Sequence, residues 1–144
     1  MADIVTKLFD KYGIAVLGFD VVWAERDTSS GIDTLDSLAG KHLPGFQDAY
    51  QKLRPALDYD GLFAKAIKGR PVVLGYYFNS EKNAVGVNAT PEPVLPKGTF
   101  AGRNIGFERL HGYTGNLPIY LGAAARAGHF NPRIHDDGVS RRVP

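Results

Sequence analysis

With 144 residues and a formal charge of only +2, the chain is one domain long and lacks the basic stripe of a nucleic-acid binder. It has no cysteine, which excludes disulfide frameworks, thiolate metal sites and thiol nucleophiles. Its longest apolar run, Gly13 to Phe19, falls far short of the roughly 20 residues that span a bilayer, and no charged-then-apolar signal segment opens it.

Asp3–Tyr12 puts Ile4, Val5, Leu8, Phe9 and Tyr12 on one helical stripe, and Gly13 stands where a helix C-cap glycine belongs. Ile14–Trp23 is an almost unbroken apolar and aromatic run, which predicts a strand buried on both faces, as in a parallel sheet. Ala24–Gly45 is polar and turn-rich around a short helix over Asp33–Ala39. Phe46–Leu53 is a second helical segment, ended by Pro55. Asp58 is the expected N-cap of a helix from Tyr59 to Lys68, with Leu62, Phe63, Ala66 and Ile67 inward and Gly69 closing it. Pro71–Phe78 predicts a second buried strand, and the alternating order predicts a right-handed βαβ crossover.

From Asn79 to Gly115 the pattern dissolves into Pro, Gly and Asn punctuation, too long for an ordinary connection and so a surface excursion or a lid. Leu117–Ala127 is expected to be helical, with Asn116 as N-cap and Pro118 in the first turn. Gly128–Ile134 and Val139–Val143 read as strands of a hairpin around His135-Asp136-Asp137-Gly138. The fold class expected for residues 1–144 is therefore a single α/β domain. It has a mostly parallel central sheet flanked by helices and a C-terminal β-hairpin.

Asp20, Glu25 and Asp27 form an acidic set at and beyond the end of the first predicted strand. That is where ligands sit in open α/β sheets and where carboxylates could hold Mg²⁺. The plainer reading makes Asp20 a single buried carboxylate satisfied by backbone donors or by an arginine, Arg141 or Arg142, while Glu25 and Asp27 cap a turn. The histidines His42, His111, His129 and His135 lack metal-ligand spacing, so no metal site is expected. Ser29, Ser30, Ser37, Ser80 and Ser140 have no adjacent base, and no Walker loop or dinucleotide fingerprint is present, so no cofactor is expected either. Asp137 belongs to the turn chemistry of the hairpin rather than to a calcium loop. Tyr76, Tyr77, Phe78 and Tyr113 are read as core aromatics that could instead line a cavity.

Four ordered blocks carry a resemblance: Ile14–Ser30 (IAVLGFDVVWAERDTSS), Leu57–Phe78 (LDYDGLFAKAIKGRPVVLGYYF), Gly112–Leu117 (GYTGNL) and Ala127–Pro144 (AGHFNPRIHDDGVSRRVP). Together they resemble the second type of CHASE domain, the cyclase/histidine kinase-associated sensory extracellular domain. Positions matching its pattern are Asp20, Glu25, Asp27, Asp60, Gly128, Asn131, Pro132, Asp137, Gly138, Arg141, Arg142 and Pro144; Arg26 replaces an expected proline and Ser140 an apolar residue.

The resemblance implies a sensor, not an enzyme in itself. It would lie on the periplasmic or extracellular side of the cell membrane, anchored by flanking helices outside this chain. It would pass an unknown small-molecule or protein signal to an adenylate or guanylate cyclase or a sensor kinase. No catalytic residue carries over; Asp20, Glu25, Asp27, Asp60, Asn131, Asp137, Arg141 and Arg142 are the candidate ligand-binding or structural polar residues. The alternative is a small Mg-dependent hydrolase using Asp20, Glu25 and Asp27. The family pattern extends beyond both ends of this chain and includes an upstream strand. Homodimerisation is therefore expected through an unpaired sheet edge, at Ile14–Phe19 or Val72–Phe78.

Overall fold

A computed structural model describes residues 1–41, 45–106, 109–134, 137 and 140–142, with backbone alone at 133, 134 and 140–142. The elements run α1 (Ala2–Asp10), β1 (Leu17–Gly18), α2 (Ile32–Ala39), α3 (Phe46–Leu57), α4 (Tyr59–Ile67), β2 (Val72–Asn79), β3 (Gly86–Val87), β4 (Gly112–Thr114), α5 (Pro118–Leu121), β5 (Arg126–His129), β6 (Arg133–Ile134) and β7 (Ser140–Arg142). The fold is mixed α/β, with a five-stranded, mostly parallel sheet flanked by helices, as the alternating pattern predicts.

β2 is the centre of the sheet. β1 pairs with it in parallel (Leu17↔Val72, Gly18↔Val73), β5 pairs in parallel further along (Val73↔Arg126 to Tyr76↔His129), and β4 pairs antiparallel at its end (Tyr77↔Thr114 to Asn79↔Gly112). β3 lies parallel to β4. Apolar residues alternate along β2 onto the helices: Val72 and Leu74 are fully buried against Val5 of α1, Phe63, Ala64 and Ile67 of α4, and Tyr120 of α5. Burying each such aliphatic side chain contributes about 1.5–3 kcal/mol, so this one cluster dominates stability.

The backbone of β2 divides its partners by parity. The carbonyls of Val73, Gly75 and Asn79 accept from Phe19, Asn116 and His111, all on one flank. The carbonyls of Tyr76 and Phe78 accept from Phe130 and Asn131 on the other. β1 and β4 thus share a flank, one after the other, and the Asn116 side chain fills the gap between them. Gly75 sits at this split because a methyl there would lie 2.6 Å from the Phe19 carbonyl oxygen and 2.7 Å from the Phe130 ring.

Several expectations need correction. The run Ile14–Trp23 is not buried on both faces: only Leu17–Gly18 form a strand, and side chains on just one of its faces meet the core. Leu17 and Phe19 pack on the core, whereas Val16 is 61% exposed and Val21 46%. Val72–Phe78 is no sheet edge, since both its flanks are occupied. On α1 the inward residue is Val5, flanked by half-buried Leu8 and Phe9, while Ile4 and Tyr12 are exposed. On α4, Leu62 is exposed, and Asp60 and Ala64 take inward positions beside Phe63 and Ile67. α3 does not end before Pro55 but runs to Leu57; the ring disrupts only the bond to the exposed Gln51, and Asp58 N–H still reaches Arg54.

The excursion from Asn79 to Gly115 contains two short strands, β3 and β4, which no periodicity announced. The expected helix Leu117–Ala127 contracts to one turn, Pro118–Leu121, and Arg126–Ala127 belong instead to β5. Its N-cap is Leu117, not Asn116. The strand expected over Gly128–Ile134 is broken at Asn131-Pro132: the part before the break joins β2, and β6 after it pairs antiparallel with β7. His42, His135, Asp136 and Gly138 lie outside the described residues.

Candidate functional site

A cleft of about 520 Å³ opens beyond the carboxyl end of β1, the position at which open α/β sheets receive ligands. The segment that leaves β1 supplies Trp23, Glu25 and Asp27. The first turn of α1 supplies Met1, Ala2 and Asp3, the first turns of α4 supply Tyr59, Asp60, Leu62 and Phe63, and α5 supplies Tyr120. Local sequence explains each wall. Asp58 caps α4 by accepting from Gly61 N–H at 3.0 Å, which starts the helix so that Asp60 points inward. Asn116, fully buried, accepts from Trp23 N–H at 2.9 Å and donates to the Gly75 carbonyl at 2.6 Å. Its amide therefore pins the departing chain to the centre of the sheet.

Asp60 is the buried polar centre, 7% exposed. Its carboxylate accepts from Asp27 N–H at 3.2 Å to each oxygen and from the Tyr120 hydroxyl at 2.5 Å. The Arg26 Nε lies 3.8 Å away from the solvent side, and the first-turn position on α4 adds the favourable end of the helix dipole. Burial and then the Asp60 hydrogen bond push the Tyr120 hydroxyl well above the usual phenol range, so it stays a proton donor. Asp27 turns its own carboxylate outward. The Ser29 hydroxyl and backbone N–H both donate to it, which lowers its pKa and keeps it ionised. Glu25 stands exposed at the rim. Trp23, Phe63 and Tyr120 form the apolar wall, with ring centroids 4.8 Å (Trp23–Phe63) and 5.1 Å (Phe63–Tyr120) apart.

The candidate residues are therefore partly assembled. Glu25, Asp27 and Asp60 converge on one cleft. Asp20 does not: it is exposed in a separate shallow hollow with Gly128 and His129, because it alternates with Phe19, whose side chain packs inward on the core. The expectation of a buried Asp20 is thus overturned. The side chains of Arg141 and Arg142 lie outside the described residues, and Asp137 is exposed in a turn. Nor do Asp20, Glu25 and Asp27 share one cation position; among the described residues no trio of His, Asp or Glu converges to hold a metal. Asn131 is structural: its amide exchanges two hydrogen bonds with the Phe78 backbone, at 2.8 and 2.7 Å, as a neighbouring strand would.

Of the aromatics, Tyr76 and Phe78 are half-buried around the His129 ring, and Tyr77 is 38% exposed against Phe130. Trp23, Phe63 and Tyr120 were not singled out for the site by the sequence. Trp23 looked like one more strand residue and Tyr120 like one more helical one.

Compared with known proteins, the chain matches no family model, no curated protein and no solved structure. Among the described residues no helix is long and apolar enough to cross a membrane. The cleft itself offers the ionised Asp27 carboxylate, with Glu25 beside it, at its mouth above an aromatic wall. That combination favours a positively charged organic group, which gains from the carboxylate field and from aromatic faces together.

Proposed function

We propose that this chain is the extracytoplasmic signal-input domain of a bacterial transmembrane receptor of the second CHASE type, feeding a cyclase or a sensor kinase. The cleft beside Asp60 is its input site, and the ligand is a small organic cation such as an amine. The four ordered sequence blocks support the receptor assignment. The observation that carries the site is the meeting of Glu25, Asp27 and Asp60 with Trp23 and Tyr120 around one cleft of ligand size. The first turn of α1 forms one wall, so a ligand bound there favours one placement of α1 over another, by as much as its affinity for the two differs. Helices flanking the domain carry that bias inward.

Thermal melting with a millimolar diamine, a quaternary ammonium compound and an isosteric neutral diol tests the site. An amine at 100 times its dissociation constant adds about 2.7 kcal/mol. Glu25→Gln and Asp27→Asn are expected to weaken that shift and added salt to reduce it, with the diol inert. Equal shifts in the parent and in both variants, or none with any cation, remove the cleft from the proposal. The receptor assignment is tested separately by the parent gene, which should encode apolar spans of roughly 20 residues and a cyclase or kinase region.

A further inference from the structure

A guanidinium stands at the rim of the cleft beside Asp60. Asp3, Glu25, Asp27 and Asp60 line the cleft itself, and among the described residues no lysine, arginine or histidine does. Arg26 lies between two of those carboxylates in sequence. Its Nε is 3.8 Å from the Asp60 carboxylate and its Nη1 is 3.9 Å from Asp33 on α2, with the side chain 61% exposed. Both separations exceed the about 3.2 Å limit of an N–H···O hydrogen bond. Arg26 is thus drawn toward these acids without spending its donors on them.

Asp60 does not need this cation, since its oxygens already accept from Asp27 N–H and the Tyr120 hydroxyl. An ion pair so long and so wet contributes little to stability. What remains is a planar fork of N–H groups held near the cleft, the form in which arginine takes a carboxylate through two parallel hydrogen bonds. The polarity around it is layered. Glu25, Arg26 and Asp27 put both signs of charge at the mouth on three consecutive residues. Beneath them lie Phe63, 4% exposed, and Tyr120, 3% exposed. A complementary ligand carries an ammonium and a carboxylate close together at one end of an apolar body.

We propose that the ligand of this cleft is an α-amino acid with an apolar side chain, its carboxylate held by Arg26. This rests on the reading of the cleft as the input site and narrows the amine proposed there to a zwitterion. The ligand ammonium meets Glu25 and Asp27, and its side chain lies against Trp23 and Phe63. An amine without a carboxylate leaves the Arg26 fork unused. A carboxylate without an amine meets the repulsion of the acids that line the cleft, so the site selects for both groups on one molecule.

Titration calorimetry with phenylalanine, phenylalaninamide and N-acetylphenylalanine tests this, in mildly acidic buffer where the amide keeps its ammonium. Phenylalanine is expected to bind the parent about tenfold or more tighter than the amide, the size of a charge-assisted hydrogen bond, and the acetylated acid not to bind. Arg26→Gln is expected to bring phenylalanine down to the affinity of the amide and to leave the amide unweakened, with Arg26→Lys in between. Amide and amino acid binding the parent equally would overturn the zwitterion and leave the amine site standing. Equal weakening of both by Arg26→Gln would also overturn it, by making Arg26 a support for Asp60 and not a ligand contact. If neither compound binds the parent, the cleft is not the input site and this inference falls with it.

Discussion

The sheet around β2 and the excursion from residue 80 to residue 111 are built on different physics within one chain. Along β2 the apolar residues alternate and find helices: Val72, Leu74, Ile67 and Val5 are 0% exposed. None of the described residues from 80 to 111 is buried, although Val85, Val87, Val94, Leu95, Phe100 and Ile105 lie there. The excursion is held instead by polar contacts to its ends. Asn88, in the left-handed region at φ 60°, donates to the carbonyls of Ala24 (2.9 Å) and Gly115 (3.1 Å), and the Tyr113 hydroxyl donates to the Asn88 carbonyl. Apolar content alone does not make a core. Periodicity that commits a segment to an element does, and local stability follows it.

Leu74 is where the buried sheet has most to lose. Leu74→Ala is expected to cost about 2–5 kcal/mol, because the cavity it leaves is walled by α1, α4 and α5, which cannot all collapse into it. Urea unfolding measures this directly. A cost below 1 kcal/mol would mean that the cluster on β2 is not the centre of stability.

Next in size is Tyr120→Phe, which removes the hydroxyl from the Asp60 carboxylate. A hydrogen bond to a charged group contributes about 1.5–3 kcal/mol, and that loss is expected at neutral pH. The pH dependence has a definite sign. Burial first, and Asp60 second, raise the Tyr120 pKa in the folded state, while the unfolded chain releases this proton near pH 10. The contribution is therefore whole below about pH 10 and is lost as pH rises beyond it. Unfolding curves at neutral pH and above pH 10 should show the parent losing stability more steeply than Tyr120→Phe. Parallel losses would show that this hydroxyl is not held protonated by the fold.

The sequence made the same distinction between the two regions, up to a point. The helices over Asp33–Ala39 and Tyr59–Lys68, the Asp58 cap and the strand from Val72 were legible because periodicity, capping and glycine stops agreed. The excursion was legible as punctuation, but β3 and β4 were not, since strands of two or three residues have no period to read. β1 was over-read for an instructive reason. An apolar run records what a strand tolerates on both faces, not whether a neighbour covers both, and that neighbour was invisible. Asp20 fell with that reading.

The site was legible only in part. Glu25 and Asp27 stood out as carboxylates beyond the first predicted strand and Asp60 only through the resemblance, but the aromatic wall depends on where β1 leaves β2. That is decided by one buried amide, Asn116, whose sequence context looked like a helix cap. A side chain that bridges residues 23 and 75 from position 116 makes contacts too distant in sequence for local patterning to announce.

The smallest expected effect is the sharpest test of the two-region picture, because it repeats the Leu74 substitution in the excursion. Leu95 is 52% exposed and sits in the Pro-Val-Leu-Pro segment, outside the core cluster. Leu95→Ala removes methyl groups that already contact water, so neither the transfer loss nor the cavity that makes Leu74→Ala costly arises. The expected change is within about 0.5 kcal/mol in either direction. Hydrogen exchange should agree, with amides between 90 and 106 opening locally in both the parent and Leu95→Ala, far below the free energy needed to expose Val72 and Leu74. A loss above 1 kcal/mol, or exchange in this stretch as slow as in β2, would show that the excursion packs as a lid over the molecule. The molecule would then be one continuous packed unit and not a buried sheet with a polar-tethered loop.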